Sequence, residues 1–215
     1  MKLYTYFRSS AAYRVRIALH LKGIGFESVP VHLLRNGGEQ HGEAYRAVNP
    51  SELVPALETA GVTLGQSMAI IEYLDETHPL MPLLPADALG RARVRALAQT
   101  VACDTHPLTN LRVLRHLKGA LGLTEEERNT WYRHWLGEGM RTLEAQLANS
   151  ADTGRFCHGD MPTMADCFLV PQVFNARRFE VDLAPFPTIA RIDAACVDIP
   201  AFQAAHPSQQ PDAEG

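Results

Sequence analysis

Residues 2–23 read KLYTYFRSSAAYRVRIALHLKG, and the rest of the chain is interpreted from this stretch. The short alternating run Lys2 to Tyr6 predicts a buried strand. Beyond the two serines, apolar residues recur at helical spacing until a Lys-Gly pair at 22–23 supplies a stop signal. Ser9 and Ser10 therefore lie at a strand-to-helix turn, where hydroxyl side chains are favoured as helix N-caps.

This turn has the chemistry of an anion site. The first backbone N–H groups of a helix lack intrahelical partners, and the positive end of the helix dipole points the same way. Arg8 and Arg14 add positive charge on either side of the two serines. From this stretch alone, a serine N-cap beside two solvated arginines is the favoured interpretation. An anion-binding turn is the alternative, and it needs support from the rest of the chain.

The composition is that of an ordinary globular protein. Of the 215 residues, 46% are hydrophobic and 20% charged, which is sufficient for one large domain or two modest ones. The net charge of −4 gives no reason to expect nucleic acid or an acidic membrane surface as a partner. Arginine is nevertheless clustered locally, and this clustering favours small anionic ligands.

The cysteines form neither a CxxC pair nor a metal-ligand pattern, so no metal is expected. They are Cys103, Cys157, Cys167 and Cys196. No apolar run approaches the length of a membrane span, and the N-terminus enters a strand with no signal or transit peptide. We therefore interpret the cysteines as reduced, buried thiols of a cytoplasmic protein.

The order of predicted elements divides the chain in two. Alternating strands and helices at the start predict an α+β unit with a mixed sheet. Three prolines between Pro79 and Pro85 mark the best domain boundary. We predict an α+β domain over residues 1–81, a linker over 82–88, an all-helical domain over 89–205 and a disordered tail over 206–215.

Two capping boxes predict helix starts in the second domain, one at Thr124 and one at Thr163 with Asp166 as its acid. Asp166 is therefore interpreted as a stabilising residue of the helical domain and not as a catalytic acid. Pro107 is expected to interrupt the long first helix, and Pro171 to break the apolar run after the second box.

Two dipeptides of the first domain have the chemistry of a binding site. A cis bond at Val54-Pro55, just before a predicted strand, would expose the Val54 backbone to an extended ligand. A trans proline at the strand entrance fits the sequence equally well. Gln66-Ser67 opens the next helix, where hydroxyl, backbone and dipole together would hold a carboxylate. Taken alone, Ser67 is more often only an N-cap.

Eight motifs occur together in this chain, four in each domain. They are SSAAYRVRIAL (9–19), NGGEQ (36–40), LVPAL (53–57), QSMAIIEYL (66–74), HPLTNLR (106–112), TMAD (163–166), LVPQV (169–173) and ARRFEVDL (176–183). In this combination the chain resembles the zeta class of glutathione transferases over nearly its whole length. The resemblance implies the glutathione-transferase fold, in which a thioredoxin-like α+β domain with a mixed four-stranded sheet precedes an all-α domain. It also implies glutathione as cofactor, a homodimer, and cis–trans isomerisation of maleylacetoacetate.

The resemblance implies a glutathione site with contributions from both domains. Val54 would pair its backbone with the cysteinyl part of glutathione. Gln66 and Ser67 would hold the γ-glutamyl carboxylate, and Ser9 would hydrogen-bond the sulfur with Ser10 beside it. The implied cofactor-binding residues are Ser9, Ser10, Ala11, Ala12, Tyr13, Arg14, Gln40, Val54, Pro55, Gln66, Ser67, His106, Asn110, Leu111 and Arg112.

The catalytic residues expected from the resemblance are Arg8, Ser9 and Ser10. Many members of the class carry a cysteine directly after the two serines, where this chain has Ala11, so the chemistry falls to glutathione itself. A helix N-terminus, a hydroxyl and nearby arginines all favour the thiolate. The thiolate would add to the cis double bond, and rotation followed by elimination would give the trans isomer, with positive charge stabilising the enolate.

The implied substrate is a small dicarboxylate, which forked guanidinium groups bind well. Arg8, Arg112 and Arg178 are the predicted substrate-binding residues. A solvated or structural ion pair is the alternative for each of them. Arg177 and Arg178 are adjacent on one helix, so at most one of the two is expected to face the site.

Maleylacetoacetate, from tyrosine breakdown, is preferred as the substrate because Leu111 stands where an arginine would suit a shorter, more strongly anionic molecule. Maleylpyruvate, from gentisate breakdown, is the close alternative. Glutathione conjugation or dehalogenation of α-halo acids is a third possibility. The non-enzymatic alternative is a glutathione-transferase-like binding protein, and the intact Ser9, Gln66 and Ser67 count against it.

Overall fold

The computed structural model describes residues 1–214 and contains two compact units. The first unit combines residues 1–83 with the C-terminal segment 197–214, and the second comprises residues 84–196. The boundary falls between Leu83 and Leu84, both of which are buried. The predicted linker over 82–88 therefore overlaps the start of the second unit, whose first helix begins at Ala88.

The first unit contains four strands and three helices before the boundary. They are β1 (Lys2–Thr5), α1 (Ser10–Leu21), β2 (Glu27–Pro30), α2 (Glu43–Val48), β3 (Ala56–Thr59), β4 (Val62–Gly65) and α3 (Ser67–Thr77). The strands lie in the order β2-β1-β3-β4, with β1 and β2 parallel and the other pairs antiparallel. The predicted mixed four-stranded sheet with helices is confirmed.

Strand register brings three connections to one edge of this sheet. Tyr4 pairs with Ala56, and Ala56 pairs with Gly65. Because β1 runs antiparallel to β3 and β3 antiparallel to β4, the end of β1, the start of β3 and the end of β4 meet. The turn after β1, the Val54-Pro55 dipeptide and the start of α3 therefore lie side by side.

Helix α1 is buried on nearly every side, from Ala12 to Leu19. It packs against α3 and against a short C-terminal helix, α10 (Pro200–Ala205). Phe202 of α10 is almost completely buried. Because α1 is covered by neighbours on more than one face, even its two arginines, Arg14 and Arg16, are buried, and the helix has no polar face.

The prediction of a disordered tail over 206–215 is wrong for residues 206–214. A 3-10 turn spans Pro207–Gln209, and the Gln210 side chain donates to the carbonyls of Ala204 and His206. The Asp212 carboxylate accepts the Phe7 N–H at 2.9 Å. A polar, proline-containing segment is thus ordered by hydrogen bonds to the first unit. Gly215 lies outside the described residues.

Helices are the only regular secondary structure of the second unit, residues 84–196. Its helices are α4 (Ala88–Gln99), α5 (His106–Thr109), α6 (Leu111–Gly119), α7 (Glu125–Ala148), α8 (Met164–Arg178) and α9 (Pro187–Val197), the last of which ends one residue past the unit boundary. A π-helical stretch, Thr100–Thr105, joins α4 to α5 just before Pro107, where an interruption was expected. Within residues 1–214, no helix is long and apolar enough to cross a membrane.

Both predicted capping boxes are present, at Thr124 with Glu127 and at Thr163 with Asp166. Pro171, however, does not end the helix that follows the second box, since α8 continues to Arg178. A proline inside a helix costs about 3 kcal/mol. Residues 164–173 of α8 are all buried, and this packing outweighs the cost of the missing N–H.

Candidate functional site

Ser9 is the N-cap of α1, so the local interpretation of this serine is confirmed. Its Oγ accepts the Ala12 N–H at 3.2 Å, and its own N–H donates to the Tyr6 carbonyl at 2.9 Å. A hydroxyl that accepts one hydrogen bond keeps its proton available for donation. The half-exposed Ser9 side chain can therefore cap the helix and still donate to a ligand in front of the turn.

The first turn of α1 also contains Ser10, Ala11 and Ala12, which have different exposures. Ser10 and Ala12 are buried, whereas Ala11 is half-buried at the position after the two serines. A helix of 12 residues presents unsatisfied amides and its positive dipole end at this point. The turn is therefore suited to an anion, and Ala11 contributes no reactive group to it.

Arg14 and Ser67 are brought into contact although they are 53 residues apart in the chain. The buried Arg14 guanidinium donates from Nη1 to Ser67 Oγ at 3.2 Å. Ser67 is the first residue of α3 and not its cap, so the simple N-cap interpretation is wrong for this serine. A fixed positive charge behind the hydroxyl strengthens the case for a carboxylate in front of it.

Gln66 occupies the cap position of α3, but its side chain makes no capping hydrogen bond. Its φ of 66° lies in the left-handed region, which non-glycine residues rarely adopt. Such outliers concentrate at ligand-binding positions, where the surrounding structure holds them. The exposed Gln66 side chain is thus held beside Ser67 in an unusual backbone conformation.

The Val54–Pro55 bond is cis, which answers the question that the sequence left open. Val54 and Pro55 are buried just before β3. The preceding carbonyl, that of Leu53, accepts hydrogen bonds from the Tyr45 hydroxyl at 2.6 Å and from Asn49 Nδ2 at 2.8 Å. These two bonds hold the loop that presents Val54 at the edge of the sheet.

Gln40 belongs to a 3-10 turn, Glu39–His41, and its side chain is only 4% exposed. Its Nε2 lies 3.1 Å from His41 Nε2, while its Oε1 is buried with no hydrogen-bond partner among residues 1–214. Leaving such an oxygen unpaired costs about 1–3 kcal/mol. Gln40 therefore has a buried acceptor oxygen that is not used within residues 1–214, and its assignment to glutathione stays a prediction.

Arg16 is a residue of this region that the sequence interpretation missed. It is completely buried and donates to Thr5 Oγ1 at 2.9 Å and to the carbonyls of Phe7 and Ala205 at 3.0 and 3.1 Å. Burial lowers the pKa of Arg16 to about 10, so it stays protonated at neutral pH. Arg16 positions the turn that carries Ser9, and no sequence signal separates it from a solvated arginine.

The site residues predicted in the second unit lie around the start of α6. Asn110 caps α6, with Oδ1 accepting the Val113 N–H at 3.0 Å and Nδ2 donating to the Pro107 carbonyl at 3.1 Å. Both ends of its amide are thus used within the unit. His106 and Leu111 are half-buried, and Arg112 is exposed. Their assignment to glutathione or substrate stays a prediction.

The adjacent arginines at the end of α8 have different surroundings. Arg177 Nη2 lies 2.6 Å from Asp193 Oδ2, and the Asp193 side chain is buried. Burial raises the pKa of Asp193, and the Arg177 ion pair opposes that rise. Arg178 is exposed, with its guanidinium 5.2 Å from the Phe179 ring centre. Of the two, Arg178 is therefore the candidate for a ligand.

The cysteines are free thiols. Burial raises the pKa of the Cys157 and Cys196 thiols, which disfavours the reactive thiolate. Cys103, expected to be buried, is exposed. All four lie in the second unit, so the first unit, which carries Ser9, has no cysteine of its own.

Comparison with protein families identifies both units. Residues 8–77 match the glutathione S-transferase N-terminal domain, and residues 129–208 match the glutathione S-transferase C-terminal domain. Together the two matches cover more than half of the chain.

Two curated relatives cover nearly the full length. The chain is 51% identical over 213 residues to a maleylpyruvate isomerase of Ralstonia sp, covering 99% of each chain. It is 50% identical over 211 residues to a probable maleylacetoacetate isomerase of Vibrio cholerae, covering 98% of this chain and 97% of that one.

Two solved structures have the same architecture. One is the holo structure of a maleylpyruvate isomerase, a bacterial zeta-class glutathione S-transferase, with a TM-score of 0.97 and 50% identity. The other is a maleylacetoacetate isomerase of Methylobacterium extorquens with bound malonate and glutathione, with a TM-score of 0.96 and 44% identity. Each covers 100% of both chains.

Proposed function

Because this chain belongs to the zeta class of the glutathione S-transferase family, we propose that it is a glutathione-dependent isomerase that converts maleylacetoacetate to fumarylacetoacetate. The observation that carries the proposal is the meeting, at one edge of the sheet, of three segments that we predict to bind glutathione. These are the Ser9 turn, Val54-Pro55 and Gln66-Ser67. The agreement with isomerases along the full chain supports the reaction type.

The residues at this edge fit glutathione. The Val54 main chain is presented for pairing with the cysteinyl part, and Ser67, with Arg14 behind it, suits the γ-glutamyl carboxylate. Gln40 offers a buried, unpartnered oxygen to a donor on the ligand. When bound, glutathione supplies the nucleophilic sulfur whose reversible addition to the cis double bond allows rotation.

The chain contributes the electrostatic environment for that sulfur. Ser9 donates its hydroxyl proton toward the sulfur, and the N-terminus of α1 favours negative charge there. Arg8 and the dipole also stabilise charge that develops on the substrate carbonyl oxygen. Ala11 cannot act as a nucleophile, so the residues at the turn position and polarise but form no covalent bond.

Substrate carboxylates are assigned to Arg8, Arg112 and Arg178. The proposal is supported for Arg178 by its exposure and by the engagement of its neighbour Arg177 with Asp193. Arg112 is likewise exposed on the second residue of α6. A guanidinium can bind a carboxylate through two parallel N–H bonds, which fixes both charge and orientation.

Maleylpyruvate is the second candidate substrate, favoured by the similarity to maleylpyruvate isomerases in both comparisons. The test is to add enzyme and glutathione to each substrate and follow the ultraviolet change. We expect glutathione-dependent isomerisation with a higher kcat/KM for maleylacetoacetate. A higher kcat/KM for maleylpyruvate would reverse the order of the two substrates.

Absence of isomerisation with both substrates would overturn the proposed function. Turnover of α-halo acids in its place would indicate a transferase, and failure to bind immobilised glutathione as well would indicate the non-enzymatic binding protein. We also propose a cytoplasmic homodimer. Light scattering on purified protein tests the dimer, and a mass near 23.7 kDa would contradict it.

A further inference from the structure

The C-terminal residues of the chain lie against the turn that carries Ser9. The Glu214 carboxylate meets three side chains: Arg35 Nη2 at 2.6 Å, His32 Nε2 at 3.2 Å and Arg8 Nη2 at 3.8 Å. Two residues earlier, Asp212 accepts the Phe7 N–H. A carboxylate of the chain itself thus occupies the cationic group beside the proposed catalytic turn.

The sheet explains why these three side chains converge. Strands β1 and β2 are parallel, and Thr5 pairs with Pro30 at their carboxyl ends. Arg8 follows the first strand, while His32 and Arg35 follow the second, so all three emerge at the same edge of the sheet. We call Arg8, His32 and Arg35 the cationic cluster.

His32 makes this cluster more than a group of surface charges. Its side chain is only 7% exposed, and its Nδ1 accepts the N–H groups of Leu34 and Arg35 at 3.2 and 2.8 Å. A ring nitrogen that accepts two hydrogen bonds carries no proton, so the proton sits on Nε2. The ring therefore presents a buried N–H donor to whatever anion lies between the two arginines.

The hold on Glu214 is weak enough to be exchanged. Its side chain is 38% exposed, and ion pairs at exposed positions contribute little to stability because water and salt screen them. Arg35 and His32 lower the pKa of Glu214, which agrees with a carboxylate bound in its ionised form. The other acid packed on this edge, Glu39, is held by the His32 N–H at 2.6 Å and so does not neutralise the arginines directly.

We propose that Arg8, His32 and Arg35 form a carboxylate subsite that Glu214 fills in the free chain and that a carboxylate of the substrate takes over. The chemical class of the ligand is a small dicarboxylate, and that assignment rests on the proposed isomerase function. Glu214 then acts as an internal competitor that raises the apparent KM for substrate. His32 and Arg35 become further substrate-binding residues for one end of the substrate.

The direct test measures malonate binding by calorimetry in the presence of glutathione, without turnover. Glu214→Gln removes the competing charge and should lower the malonate Kd about three- to fivefold, an effect that shrinks at about 0.5 M salt. Asp198→Asn is the matched control, since it removes an exposed acid from the same C-terminal segment outside the cluster. An unchanged or higher Kd in Glu214→Gln would overturn the proposal.

A second variant distinguishes a carboxylate-binding subsite from a contact that only anchors the C-terminus. Arg35→Met in the Glu214→Gln background should raise the malonate Kd about three- to tenfold, because one of the guanidinium groups is lost. If Glu214 merely anchors the C-terminus, this addition leaves malonate binding unchanged, and the subsite is excluded.

Kinetics separate this inference from the proposed function. With maleylacetoacetate, Glu214→Gln should lower KM about threefold while the KM for glutathione stays the same. Isomerase activity with unchanged KM and unchanged malonate binding would reject the subsite and keep the function. Tighter malonate binding in a chain that isomerises neither substrate would keep the subsite and reject the function.

Discussion

At the scale of single residues, two serines with the same local signal have different roles. Ser9 caps α1, whereas Ser67 lies inside α3 and receives a hydrogen bond from Arg14. Both are hydroxyls at helix starts in the sequence, so the N-cap rule treats them alike. The difference arises because Arg14 reaches Ser67 from another helix.

Substitution of Ser9 tests its contact with sulfur. Ser9→Ala should lower kcat about 10- to 100-fold, because a donor to the developing thiolate is lost, while the Kd for glutathione rises less than about threefold. Loss of the cap should also lower Tm by about 2–4 °C. Steady-state kinetics and calorimetry provide the measurements. Ser9→Thr keeps the hydroxyl and serves as control, and equal losses in kcat and in glutathione affinity would contradict the assignment.

The two arginines at the end of α8 provide a matched pair. Arg178→Ala should raise KM for the dicarboxylate about tenfold with little change in Tm, since Arg178 is exposed. Arg177→Ala should instead lower Tm by several degrees, because it leaves the buried Asp193 carboxylate without its partner. Kinetics and thermal unfolding of both variants check the assignment, and exchanged phenotypes would show that the roles are reversed.

At the scale of elements, the local signals predicted helix starts well and helix ends less well. Both capping boxes are present, because the interacting groups are three residues apart in the chain. Pro171 was expected to break the apolar run after the second box, but α8 continues through it to Arg178. The proline rule concerns an isolated helix, whereas α8 is enclosed by the packing of the second unit.

The stability that each of the two capping boxes contributes should change with pH in opposite directions. Burial raises the pKa of Asp166, whereas hydrogen bonds from Thr124 lower the pKa of the exposed Glu127. An aspartate whose pKa is raised in the folded state contributes stability that is fully present below its unfolded-state pKa of about 3.9. That stability is lost as pH rises through the folded-state pKa. A glutamate whose pKa is lowered in the folded state contributes stability that is present above its unfolded-state pKa of about 4.3. That stability is lost as pH falls through the folded-state pKa.

Thermal unfolding between pH 3 and 7 measures this difference. The Tm gap between the parent and Asp166→Asn should shrink as pH rises, and the gap between the parent and Glu127→Gln should grow. The two variants act as controls for each other, since both remove one carboxylate from the same motif. Parallel pH profiles would show that burial does not govern the Asp166 box.

At the scale of the whole molecule, the C-terminal segment completes the first unit. Its hydrogen bonds to the N-terminal region join residues far apart in sequence. Arg16 donates to the Ala205 carbonyl, 189 residues away, and the Phe7 N–H donates to Asp212, 205 residues away. A boundary drawn from prolines and composition assigned this segment to the helical domain and to a tail. Residues 197–214 belong to the first unit instead.

Truncation tests that assignment. Deleting residues 200–215 removes the buried Phe202 and the Ala205 carbonyl that accepts a hydrogen bond from Arg16. The free energy of unfolding should fall by about 4–5 kcal/mol, which lowers Tm by about 10–15 °C. Deleting only residues 211–215 removes the Asp212 and Glu214 contacts and should lower Tm by about 2–4 °C. Differential scanning calorimetry compares the two, and similar small shifts would mean that the segment is dispensable.

The sequence by itself determined that an α+β unit precedes a helical one, and it also determined the cap at Ser9, both capping boxes and the family. These signals lie within a few residues of one another or in motifs that extend along the chain. The tertiary structure alone decided the buried role of Arg16, the contact between Arg14 and Ser67, and the position of Glu214 on the cationic cluster. Each of these depends on groups that are distant in sequence and meet only when the chain is folded. For that reason, the sequence alone does not distinguish Arg16 or Glu214 from solvated surface charges.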